Sequence, residues 1–212
     1  MIVLAPTTIP TLISTVTTLA KTIGPAIVKY APIVIETAAK NLPLIIKTVE
    51  AVGVIANITR PTDNVSELGA KAMQADKKPE NFDAINEYID YLRNDVVVDV
   101  SKLSNDPVDV MARQAIGTSV ILQGLSSKLG TEVSWAFVSK AAQMGIESSV
   151  IWQVLKTYSD NGLNADEFTQ FMDDELSIVQ ADKHCEALVK AHLELDPTMS
   201  IEQAEDAVLA MR

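Results

Sequence analysis

The chain has 212 residues, room for one or two domains with a real core, and 48% of them are hydrophobic but only 5% aromatic. The core must then be mostly aliphatic, and platforms that stack bases or sugars are disfavoured. The formal net charge of −11 argues against nucleic-acid binding, which needs a basic footprint.

Residues 1–59 form one apolar region with six charged side chains: Lys21, Lys29, Glu36, Lys40, Lys47 and Glu50. At about 100° per residue, with Lys21 at zero, they project within an arc of about 0–100°. The opposite, broad apolar surface includes Ile23, Ile27, Ile33, Val34, Leu44, Ile45, Val49 and Ile55. So wide a face must be covered on several sides, by other helices, a second subunit or lipid. A proline followed by aliphatics recurs at Pro10, Pro25, Pro32 and Pro43. That pattern fits several short helices or one long kinked helix, with breaks expected at Gly24-Pro25 and Asn41-Leu-Pro43. Met1 to Ala20 lacks charge and is long enough to span a bilayer. It also lacks a basic start and is diluted by prolines and hydroxyl residues, so no cleavable signal peptide is evident. A cytoplasmic location or delivery by a non-classical route is the expectation.

Residues 60–79 read as a linker, interrupted by a short helix over 65–74. Residues 80–212 read as an acidic helical domain. Residues 1–59 carry a net charge of +2 and the remainder −13, so the two parts can attract one another. Helical periodicity predicts helices over 80–94, 107–129, 132–144, 147–158, 165–195 and 201–211. Asp106 ahead of Pro107, Asn164 ahead of Glu167, and Ser200 ahead of Gln203 are their expected starts. Val96–Val100 is a helical or extended connection, and Gly117 and Gly124 either admit close helix approach or weaken their helix. No strand–turn–strand signal occurs, and the expected fold is an all-α multi-helix bundle.

Candidate chemistry is sparse. Around Gly162, the residues Asp160, Asn161, Asn164 and Glu167 have the oxygen-rich character of a calcium loop between two helices. The loop resembles an EF-hand but places Glu167 one residue early and Asn164 where an aliphatic belongs. A plain turn with Gly162 in a left-handed conformation is the competing reading. His184 and His192 lie eight residues apart on one expected helix, outside the usual ligand spacings, and read as exposed. Cys185, the single cysteine, reads as buried and inert. No phosphate loop, catalytic triad order or zinc signature is present, so no catalytic residue, cofactor or resident metal is expected.

Burial of the leading apolar face therefore makes the chain a non-enzymatic helical interaction or assembly protein. Its partner would be another protein or a further copy of itself. The alternative is a membrane-active, toxin-like effector whose N-terminal helices insert into a bilayer, with Lys21, Lys29, Lys40 and Lys47 at the lipid headgroups. An enzyme with an unrecognised helical site, centred on a buried carboxylate or on His184 in a concave pocket, is held in reserve.

Overall fold

Proline at position 43 is expected to end a helix, yet α1 runs unbroken from Ala31 to Ile55 with Pro43 inside it. In this computed structural model, which describes Gly24, residues 31–133 and residues 135–211 (backbone alone for 31–42), Pro43 is exposed. On the exposed side of a helix a carbonyl that loses its donor can be met by water, so the ring is tolerated. From Pro43 onward the helix divides cleanly. Ile45, Ile46, Thr48, Val49, Val52, Gly53 and Ala56 are buried and project at about 180–340° in the frame used above. Pro43, Leu44, Lys47, Glu50, Ala51, Val54 and Ile55 are exposed or half-buried and occupy about 20–160°. The exposed arc thus extends about 60° beyond the charged arc, on the side of Leu44 and Ile55.

Helix α2, Val65–Gln74, starts at Asn64, whose side chain accepts from the Glu67 N–H at 3.1 Å. A second donor of its first turn, the Val65 N–H, reaches the Glu50 carboxylate of α1 at 3.0 Å. Orphan N–H groups at a helix start need such partners. Although its surroundings read as a linker, α2 buries Val65, Leu68, Gly69, Ala70 and Ala72. A turn of 3-10 helix at Pro79–Asn81 precedes α3, Ile85–Asn94, which begins five residues later than the periodicity predicts. Its Arg93 pairs with Asp63 at 2.7 Å and with Asp90. Asp95 closes α3 in the helical region, and residues 96–99 connect it to a short 3-10 turn, Val100–Lys102.

Helix α4, Pro107–Leu129, opens as expected, with the Asp106 carboxylate accepting from the Val108 N–H at 2.9 Å. It is buried along much of its length, including Ile116, Val120, Ile121, Leu122 and Leu125. Five further helices follow: α5 Trp135–Gln143, α6 Ser148–Asp160, α7 Glu167–Met172, α8 Ile178–Leu195 and α9 Ile201–Ala210. Among the described residues there is no strand, and the fold is an all-α multi-helix bundle.

Two compact units divide the chain, Met1–Lys128 and Leu129–Arg212. The division falls inside the stretch that composition reads as one acidic domain. Unit 1 holds twelve Lys and Arg against thirteen Asp and Glu, a net −1. Unit 2 holds five against fifteen, a net −10, so it carries nearly all the acidity.

The single helix expected over 165–195 is in fact two. Asp174 adopts φ +58°, and the Glu175 N–H turns back to the Gln170 carbonyl at 2.9 Å. This closes α7 with a left-handed cap, a conformation that Asp tolerates better than most side chains. Three consecutive acids, Asp173–Glu175, also oppose the negative end of a helix dipole, so continuing the helix through them is unfavourable. Helix α9 starts as predicted, in a capping box: Ser200 Oγ accepts from the Gln203 N–H at 3.2 Å, and the Gln203 side chain accepts from the Ser200 N–H at 2.8 Å.

Candidate functional site

The residues expected to form the interaction face have different fates. Ile45 and Val49 are fully buried within unit 1. Leu44 and Ile55 remain 47% and 41% exposed. They are eleven residues apart, so they project within about 20° of each other, along one line of α1. Ile33, Val34 and Lys40 lie on α1 with side chains outside the description. Ile23, Ile27, Lys21 and Lys29 lie outside the described residues. Lys47 is exposed, as a headgroup lysine would have to be, but among the described residues no helix is long and apolar enough to cross a membrane.

Beside this line α1 contributes Lys47, Glu50, Ala51 and Val54 to a cleft of about 250 Å³ within unit 1. The facing wall is the loop from Thr59 to Asn64, with Val65 and Leu68 of α2 and Ile121 of α4. Loop geometry explains the wall. The Gly53 carbonyl accepts from both the Ile58 N–H (2.8 Å) and the Thr59 N–H (3.2 Å), turning the chain sharply after α1. Asn57 takes φ +53° in that turn. The Asp63 carboxylate then accepts from the Arg60 N–H at 2.8 Å and from Arg93. Burial pushes the Asp63 carboxyl up, but its bonds to Arg93 and to the Arg60 N–H outweigh this and hold it below the usual carboxylate range.

In unit 2 the acidic loop does not converge on a cation. Gly162 takes φ +63°, the expected left-handed turn. Asn161 Nδ2 donates to the Thr157 carbonyl at 2.6 Å, and Asn164 Oδ1 accepts from the Asp166 N–H at 3.0 Å. Asn164 therefore closes a local turn rather than capping a long helix. Asp160 is exposed, and Glu167 is turned toward His184. Among the described residues no group of three or more His, Cys, Asp or Glu side chains is placed to hold a metal ion.

His184 overturns its reading as an exposed residue, for it is 1% exposed. Its Nδ1 lies 2.8 Å from Tyr158 Oη and its Nε2 lies 3.1 Å from Glu167 Oε2. The Glu167 carboxylate fixes the tautomer with hydrogen on Nε2, so the Tyr158 hydroxyl donates to Nδ1. The Phe171 ring stacks on the imidazole with centroids 5.7 Å apart, and the Tyr158 ring meets it edge-on at 5.2 Å. Burial, and then the charge of Glu167, push the Tyr158 phenol well up, so it stays a hydroxyl. The three residues tie α6, α7 and α8 together. The sequence signal for this was the placement of His184 at a helical spacing from Leu188 and Ala191, both buried.

His192 is half-buried rather than exposed, its Nε2 has no hydrogen-bond partner, and burial lowers its pKa. Cys185 is half-exposed rather than buried. Its thiol is pushed up by burial and by Glu205, Asp182 and Glu186, which keeps it a poor nucleophile.

What fold and sites define is an all-α protein of two helical units, one nearly neutral with an open apolar line on its leading helix, the other strongly acidic around a buried Tyr–His–Glu chain. No family model matches the sequence, and neither does any curated protein or any solved structure.

Proposed function

We propose that the protein is a non-enzymatic helical assembly protein that self-associates through the outward apolar line of α1. One observation carries the reading: Leu44 and Ile55 share one side of a helix whose opposite side is already filled by Ile45, Ile46, Val49 and Val52. A helix apolar on both sides has a second face to bury. Covering the exposed near-half of each of these side chains contributes about 0.7–1.5 kcal/mol, about half the full-burial value, and a second copy presenting the same line supplies a self-complementary surface. Ala51 flanks the line on one side, and Lys47 stands beyond it.

The test is the mass of the full chain in solution by light scattering across a concentration series. The expected result is a dimer or higher species, and a return to the monomer mass in Leu44→Glu/Ile55→Glu with helicity unchanged by circular dichroism. A wild-type chain that stays monomeric at all concentrations overturns the reading, as does an oligomer indifferent to both substitutions.

A further inference from the structure

We infer that the cleft between α1 and the loop from Thr59 to Asn64 is a binding site for a small aliphatic monocarboxylate. The inference is independent of self-association, because every residue of the cleft belongs to one copy.

Its chemistry follows from which polar groups the fold leaves unsatisfied. Four charged side chains line the cleft: Lys47, Glu50, Arg60 and Asp63. Both carboxylates are occupied by the fold, Glu50 by the Val65 N–H and Asp63 by Arg93 and the Arg60 N–H. The Lys47 ammonium and the Arg60 guanidinium make no ion pair within 4 Å among the described residues, though Arg60 acts at longer range on Asp63, and both residues are exposed at the rim. The Thr59 Oγ1 is buried against Gly53 and is no part of the open surface. Two cations ask for an anionic acceptor.

Apart from Asn64, whose side chain caps α2, the remaining lining, Ala51, Val54, Pro61, Val65, Leu68 and Ile121, is apolar. The ligand therefore needs an aliphatic body joined to its anionic end. At about 250 Å³ the cleft falls just below the usual range of drug-sized sites, so that body is short. The carboxylates of Glu50 and Asp63 remain in the same walls. They offset part of the attraction of Lys47 and Arg60 and disfavour a dianion such as phosphate, leaving a single carboxylate as the matching group. A free short-chain acid and the aliphatic C-terminal residue of a peptide share this chemistry.

The experiment is titration of the intact protein, followed by amide chemical shifts and by calorimetry, with hexanoate, hexanol, hexylamine, inorganic phosphate, and a tripeptide ending in leucine with either a free or an amidated carboxyl. Saturable binding of hexanoate, of the free-carboxyl peptide, or of both supports the site, provided the shifts centre on Ala51, Thr59 and Leu68 and the neutral, cationic and phosphate probes bind at least about tenfold more weakly. Which of the two carboxylates binds tighter identifies the source. Lys47→Gln and Arg60→Gln are surface changes expected to preserve the fold, and each should weaken binding about tenfold. Ala51→Phe, which fills the cleft, should abolish it. No saturable binding of either carboxylate, equal binding of hexylamine, or affinity unchanged in the Lys47→Gln/Arg60→Gln double variant would each overturn the assignment. Because Leu44→Glu/Ile55→Glu leaves these residues in place, loss of assembly in that variant with carboxylate binding intact separates this inference from the proposed function.

Discussion

Gly69 of α2 and Gly117 of α4 sit at a helix crossing where each faces the other helix's backbone. A Cβ on Gly69 would lie 1.9 Å from the Arg113 carbonyl oxygen, and a Cβ on Gly117 would lie 1.9 Å from that of Val65. Backbone atoms cannot rotate aside as a side chain can, so the helices would have to separate. Overpacking a core costs about 1–3 kcal/mol where side chains can adjust. Gly69→Ala and Gly117→Ala are each expected to cost about 3 kcal/mol or more, read as a lower urea midpoint. Gly130→Ala serves as the control, since its Cβ would meet nothing within 4 Å and its φ of +68° adds only backbone strain.

The Tyr158–His184–Glu167 chain predicts an ordered mutant series. Tyr158→Phe removes the hydroxyl but leaves the His184 Nδ1 acceptor buried and unserved. That should cost about 1–3 kcal/mol in urea unfolding. Glu167→Gln keeps an acceptor for Nε2 on a residue that is partly exposed and should cost less than Tyr158→Phe. Equal losses in the two variants would show that the buried bond is not the stronger constraint.

Asp63 predicts an acid limb. Its carboxyl is held below the usual range in the folded chain, because Arg93 and the Arg60 N–H outweigh burial. The unfolded chain then binds the proton more readily, so the stabilisation is present above about pH 4 and is lost as pH falls through the lower folded value. Asp63→Asn should be less stable than the wild type at pH 7 and should lose part of the fall below pH 4, as followed by thermal unfolding across pH.

His192 predicts a second slope, nearer neutrality. Burial lowers its folded pKa, so between that value and about 6.5 the unfolded state binds more protons. Its contribution destabilises the folded state as pH falls through this window. His192→Gln should flatten the stability profile below about pH 6.5 relative to wild type, and an unchanged difference between the two from pH 7 to 5 would contradict the assignment.

Much of the helical layout was legible along the chain. The periodicity of 107–129, the short helix over 65–74 and the Ser200 cap depend on contacts within a few residues, and the fold retains them. The errors arose where a distant residue changed the outcome. Glu50 reads only as one of six charges on a common arc but caps α2 from fifteen residues away. Asn164 and Glu167 have capping-box spacing, yet Glu167 is drawn to His184. Gly117 and Gly124 look alike to helix propensity, and only tertiary contacts distinguish Gly117, against the backbone of α2, from Gly124, against the Ile58 side chain.

The amino-acid sequence by itself determined the all-α class, the aliphatic character of the core and the broad greasy surface of the leading helix, because periodicity and composition act locally and need no partner to be read. Only the tertiary structure decided which part of that surface is left over, that His184 is sealed inside unit 2, and that Lys47 and Arg60 line one cleft. Those outcomes depend on which distant backbone and side-chain groups satisfy or exclude one another, and burial and pairing of that kind are properties of contacts rather than of positions along a chain.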